Sequence, residues 1–237
     1  MKRAARLLLA LLVPTLAVAL CGCQTDRDGV RINLSEAVRA YRQQVDKKPG
    51  REQLDRMVAS LPAEQLTDLG VMYEREERLD DAARAYYAAI QRDLYYARAY
   101  TNLGNVLRKQ GKSEEALTRY RQAMAADPGS FEAANNFADL CAAEGTYLDE
   151  AISRLVPVMD KAGTMRPYAL DTLGWLYHQR GQDELARQSL AAALADTNAI
   201  DATLRTTIQA HLVAVREALR RTGGAEGPET EARRLGE

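Results

Sequence analysis

Two histidines, His178 and His211, and three cysteines, Cys21, Cys23 and Cys141, are the side chains best suited to nucleophilic, acid–base or metal chemistry in this 237-residue chain. Their spacing assembles none of the usual sites. There is no HExxH pair to hold zinc, no CxxC, no GxSxG nucleophile turn and no glycine-rich phosphate loop. Asp171 precedes His178 by about two helical turns, roughly 10 Å along the axis, which is too far for a direct hydrogen bond. Histidines in different helices with no spaced ligand set do not make a metal site. The expectation is a protein with no catalytic residue, no metal, no cofactor and no small-molecule substrate. A hydrolase-type enzyme is the remote alternative.

The first two cysteines suggest a different chemistry. Residues 1–23 read as three cations, an apolar run from Leu7 to Leu20, and then small residues with cysteine. That run is shorter than the roughly 20 residues a helix needs to span a bilayer, and Pro14 interrupts it. It reads as an export signal. Leu20-Cys21-Gly22-Cys23 resembles the lipobox of bacterial lipoproteins, where the signal is cut before a cysteine that receives a thioether-linked lipid. Leu20 three before Cys23 and Gly22 immediately before it fit that box. The resemblance implies a signal peptide over 1–22 and lipidation, palmitate included, at Cys23. Ordinary cleavage near Ala19 is the alternative. With Cys23 acylated, Cys141 has no disulfide partner. Gln24 after the cysteine, by likeness to enterobacterial sorting, implies the periplasmic side of the outer membrane. Residues 23–33 then form a tether, at most about 35 Å when extended.

The elements that would hold any site follow from an internal repeat. Leu69-Gly70-x-x-Tyr73 aligns with Leu103-Gly104-x-x-Leu107 at an offset of 34, and the same offset aligns Ala82 with Ala116, Tyr86 with Tyr120 and Ala89 with Ala123. This pattern resembles the tetratricopeptide repeat (TPR), a 34-residue helix-turn-helix unit. The small residues Gly104 and Ala116 let two helices approach, and Leu103, Leu107 and Tyr120 fill the contact. Gly111 ends the first helix by adopting a left-handed conformation, Glu114 and Glu115 suit the next helix N-terminus, and Pro128 turns the chain onward. Glu77 stands where the second repeat has Gly111.

Four repeats are expected, at 63–96, 97–130, 131–166 and 167–200. The third fits least, with Ala138 for the glycine, Cys141 in the slot of Tyr73 and Tyr177, and one extra residue, so that a looser turn is expected at Thr146 and Tyr147. Residues 34–62 read as N-terminal helices. Residues 201–222 read as a capping helix whose Leu204, Ile208, Leu212, Val215 and Leu219 cover the last repeat. Residues 223–237 read as a disordered tail. The fold class is all-α, an α-solenoid of about four units with capping helices at both ends.

In that family the first helices line a groove, so the resemblance implies a partner surface of Arg98, Thr101, Asn102, Asn105 and Arg108, then Asn135, Asn136 and Asp139, then Tyr168, Asp171, Trp175 and His178. Asn and Arg would pair with the backbone of an extended peptide, and Trp175 either offers a flat apolar contact or packs against the C-terminal helix. Asp139 and Asp171 speak against a carboxylate clamp. The net charge is -1 for the whole sequence, and removing Lys2, Arg3 and Arg6 with the signal leaves 32 minus 3 basic against 33 acidic residues, or -4. No basic excess or stripe points to nucleic acid. The partners expected are other proteins or peptides and, through the lipid, a membrane. The function expected is a tethered scaffold, with a pilotin-like factor for a pilus or secretion secretin as the alternative.

Overall fold

The computed structural model of the chain describes residues 61–195 and 200–223. The expected signal peptide, Cys23, the tether, the N-terminal helices up to residue 60 and the tail from 224 lie outside the described residues. All regular structure described is helical. Two compact units divide at residues 94 and 95.

In the first unit, α1 (Ala63–Arg75) and α2 (Leu79–Arg92) form an antiparallel pair. Leu66, Leu69, Ala82, Tyr86 and Ala89 make its buried interior. The Tyr86 ring lies directly against Gly70, where a Cβ would collide with it, and the Tyr86 hydroxyl donates to Glu74 Oε1 at 2.6 Å. The helices are joined through Glu77, which takes the left-handed conformation at φ 59° although it carries a side chain.

The second unit repeats this plan. In α3 (Ala97–Lys109) and α4 (Ser113–Ala126), the Tyr120 ring covers Gly104 so closely that an added Cβ would stand 2.5 Å from Cε1. Thr101 bonds back to the Ala97 carbonyl at 3.1 Å, as Thr67 does to Ala63 at 2.9 Å, so even the buried hydroxyls keep register. Gly111, at φ 74°, closes α3, and the Lys112 amide returns to the Leu107 carbonyl at 2.9 Å. After α4 the Gly129 amide donates to Asp127 Oδ1 at 2.9 Å, and Ser130 Oγ caps α5 (Phe131–Glu144) by accepting from the Ala133 amide at 3.3 Å.

The third repeat departs from the plan beyond its turn. Gly145 and Tyr147 are both left-handed, at φ 68° and 50°. The following helix, α6 (Leu148–Leu155), has only 8 residues before the chain tightens into 3-10 turns at Val156–Lys161 and Gly163–Met165. Pro157 is the physical cause: it has no amide hydrogen to donate, and its ring disfavours a continuing α-helix. Leu155, Val158 and Ala162 remain buried, so the tightened segment still covers the core.

The fourth pair, α7 (Arg166–Gln179) and α8 (Asp183–Ala195), again meets at a glycine, with Leu190 seated against Gly174 in place of a ring. Finally α9 (Ala202–Gly223) buries Leu204, Ile208, Leu212 and Val215 against Ala186, Leu190 and Ala193, with Leu219 partly buried beside them. These residues recur every three to four positions, which is the stripe needed to cover one helix face. No helix among the described residues is long and apolar enough to cross a membrane.

Candidate protein-interaction surface

The first helices α3, α5 and α7 of the second unit lie side by side, since α5 packs against both α3 and α7. The side chains expected to serve a partner fall into two groups along this face.

On α3 and α5 a polar network runs from helix to helix. Asn105 Oδ1 accepts from the Tyr120 hydroxyl at 2.8 Å and from Asn136 Nδ2 at 2.9 Å. One turn further, Arg108 Nη1 meets Asp139 Oδ2 at 2.6 Å, with both groups still open to solvent. Asp139 is therefore neutralised locally and does not present a bare negative charge. Asn102 is half-buried and Arg98 exposed on the same helix. The Asn135 side-chain oxygen is buried without a hydrogen-bond partner. An orphan acceptor of this kind costs free energy until a donor reaches it. Thr101 is a correction: it is 4 % exposed and spends its hydroxyl on its own helix, so it does not face a partner.

On α7, Tyr168, Asp171 and Trp175 are engaged by α9 and its approach, and His178 by α8. The Tyr168 hydroxyl donates to Asp201 Oδ2 at 2.9 Å, which raises the phenol's pKa. Asp201 is held below the usual carboxylate range, first by the Leu204 amide and then by Tyr168. Buried Asp171 accepts from His211 Nδ1–H at 2.8 Å. Trp175 stacks on the His211 ring with centroids 4.3 Å apart and an interplanar angle of 20°. His178 tilts against the other ring of this group, 5.0 Å from Trp175, and donates through Nδ1–H to Asp183 Oδ1 at 2.5 Å. Of the two places open to Trp175, the structure gives it the one against the C-terminal helix. Tyr168 and Asp171 are likewise turned to that helix, because α9 occupies the position a next first helix would take.

Sequence reasoning did not pair His211 with Asp171, nor His178 with Asp183. Helical spacing alone shows which residues share a face, and these pairs join different helices. Cys141 is fully buried in α5, and burial pushes its thiol up to about 12, so almost no thiolate is present near neutrality. No group of three or more His, Cys, Asp or Glu side chains among the described residues is placed to hold a metal ion.

The family pattern of the tetratricopeptide repeat matches residues 97–130, which are α3, α4 and the turn after them. Among solved structures, a MamA protein is similar with a TM-score of 0.54 at 20 % identity, over 68 % of this chain and 81 % of that one. PilW, titled a widely conserved type IV pilus biogenesis factor, is similar with a TM-score of 0.52 at 18 % identity, over 67 % of this chain and 76 % of that one. YrrB, titled a TPR protein with an unusual peptide-binding site, is similar with a TM-score of 0.53 at 22 % identity, over 79 % of this chain and 84 % of that one. No curated protein matches the chain in sequence. The likenesses concern the fold, which all three share with this chain.

Proposed function

We propose that this chain, whose residues 97–130 are a tetratricopeptide repeat and whose helix pairs share that fold, is a lipid-tethered scaffold that binds an extended segment of another protein across α3 and α5. A role in protein–protein interaction is what this fold supports in general. The tether, its lipid on Cys23 and a periplasmic place at the outer membrane are the finer part of the proposal and rest on the N-terminal sequence.

The observation that carries the reading is the polar line across the two first helices, in which Asn105 Oδ1 accepts from Asn136 Nδ2 and Arg108 pairs with Asp139 while both ions stay open to solvent. A peptide laid along this face would meet side-chain amides and exposed guanidinium groups able to pair with its backbone. Catalysis is no part of this proposal, which rests on the polar face of α3 and α5.

The test is periplasmic cross-linking and affinity capture with mass spectrometry, comparing wild type with an Asn102→Ala, Asn135→Leu variant of unchanged helicity. These positions leave the Asn105–Tyr120 bond intact. One or two proteins captured by wild type and lost from the variant are expected; identical capture by both would move the binding surface off this face. In parallel, Cys23→Ser is expected to release the protein from membranes, and equal partition of mutant and wild type would remove the anchor from the proposal.

A second reading, a pilus or secretin assembly factor, draws on the likeness to PilW. Twitching and secretin-ring assembly in a deletion strain separate it from the general scaffold: normal rings without this protein would eliminate it.

A further inference from the structure

Most arginines of the second unit are matched to acids. Arg108, Arg121, Arg154, Arg180, Arg187 and Arg221 each meet a carboxylate within 4.0 Å. Among the described residues, no carboxylate stands within that distance of Arg205, Arg216 or Arg220, and all three belong to α9. At about 100° per residue they fall within about 60° of one another around the helix, spaced about 16 Å and about 6 Å along it. Arg216 and Arg220 are exposed, Arg205 is half-buried, and Val213, 54 % exposed, lies on the same side. We propose that this arginine stripe is a docking surface for an anionic membrane, where it meets lipid headgroup phosphates and orients the fourth repeat against the bilayer.

The acids nearby are occupied. Glu217 pairs with Arg221 at 3.7 Å, and Glu184 on α8 with Arg187 at 2.7 Å. Asp201, just before α9, accepts from the Tyr168 hydroxyl at 2.9 Å and from the Leu204 amide at 2.7 Å. Within α9 four arginines stand against one acid, so its open side is positive although the whole sequence carries a net charge of -1.

Guanidinium groups present paired N–H donors that match phosphate oxygens, and the three without a carboxylate keep that capacity. Insertion is not the mode of contact, because Leu204, Ile208, Leu212 and Val215 are committed to the core against α8. What α9 brings to a bilayer is charge, with Val213 beside it. A flat anionic surface meets charges in a line all at once, whereas an acidic peptide would lose chain entropy in tracking them over about 22 Å. Near a membrane each basic side chain adds about fivefold to partition, so three are too few to hold a free chain firmly and enough to orient one already held there. The place at a membrane rests on the tethered-scaffold reading; the contact itself does not.

The experiment is sedimentation of the chain from residue 23, carrying Cys23→Ser, with vesicles of phosphatidylglycerol and phosphatidylethanolamine or of phosphatidylcholine. Salt is kept at about 0.1 M, where charges act over about 10 Å. Removing the sulfur from every sample keeps the result independent of whether Cys23 anchors the chain in cells. Binding is expected to the anionic vesicles alone, falling about fivefold in Arg216→Gln and more than about tenfold in Arg205→Gln, Arg216→Gln, Arg220→Gln. Arg154→Gln removes the same charge from α6 and is expected to change binding by less than about twofold. The single variant serves if the triple one does not fold. Absence of binding by wild type, equal binding to both kinds of vesicle, or unchanged binding by the α9 variants would overturn the proposal. An oligoglutamate peptide that binds through Arg216 where the vesicles do not would assign the stripe to an acidic protein segment instead.

Discussion

The second and third repeats are neighbours of almost equal length, yet one follows the 34-residue pattern and the other departs from it in four places. In the second, Gly104 lies under a fully buried Tyr120 ring, the turn is a single left-handed glycine, and α4 runs for 14 residues. In the third, Ala138 replaces the glycine, Leu155 stands in the register of the ring, the turn holds left-handed Gly145 and Tyr147, and α6 stops after 8 residues. The Tyr120 ring meets a helix surface without Cβ, as Leu190 does at Gly174, whereas the third repeat combines Leu155 in that register with Ala138 in place of the glycine. The two solutions are each consistent, and they are not interchangeable.

The largest effect expected from mixing them is at the glycine. Gly104→Ala sets a Cβ 2.5 Å from a Tyr120 ring that cannot retreat, being buried and bonded to Asn105. A loss of about 2 to 3 kcal/mol is expected in urea unfolding, as for other overpacked cores. The reciprocal change, Ala138→Gly, meets no such limit and is expected to cost about 1 kcal/mol through helix flexibility and lost packing. Equal losses at the two sites would show that the ring is not what requires the glycine.

The next effect concerns how the irregular repeat is attached. Arg121 on α4 reaches Glu150 on α6 with Nε–Oε1 at 3.0 Å and Nη2–Oε2 at 2.8 Å. Its guanidinium also lies 5.0 Å from the Phe137 ring and 4.5 Å from that of Tyr147. This stacking offsets the strain of a tyrosine in the left-handed region and gives a physical reason for the longer turn. Arg121→Ala is expected to cost about 2 kcal/mol at pH 7. The hydrogen bond from Arg121 holds the Glu150 carboxyl below its usual range. A depressed pKa in the folded state stabilises above the unfolded value, about 4.3, and that contribution fades as pH falls through the folded value. Glu150→Gln should therefore lose stability relative to wild type at pH 7, and the gap should close in acid. A gap unchanged down to pH 3 would mean that the carboxylate charge contributes nothing.

How much of this was legible in the sequence depends on whether one residue or two decide the outcome. Gly104, Ala116 and Tyr120 announce a helix pair because each has a local role that its size alone expresses, and the stripe from Leu204 to Val215 announces its own buried face. Pro157 was in plain view too, but its effect on the third repeat needs the count of residues left before the next helix. The candidate surface was half legible. Register puts Asn105 and Asn136 on neighbouring first helices, where they bond, whereas the capture of Tyr168, Asp171 and Trp175 by α9 and its approach depends on which helix follows α8. Pairings such as Arg108 with Asp139 join separate helices, so no periodicity within either one reveals them.

The smallest expected effect sharpens the comparison at the turns, by bringing in the first unit. Glu77 and Gly111 occupy equivalent positions and both are left-handed, at φ 59° and 74°. Nothing lies within 4 Å of a Cβ at Gly111, so a side chain there is opposed by backbone conformation alone. Gly111→Ala is thus expected to cost about 1 kcal/mol, and Glu77→Gly to gain up to about 1 kcal/mol by relieving the same strain, less the entropy of a freer unfolded chain. Both are read from urea midpoints with the helical signal unchanged. Opposite signs at the two turns would show that the first unit carries a strain the second has shed; a loss at both would mean that the Glu77 side chain contributes more to its turn than its backbone conformation costs.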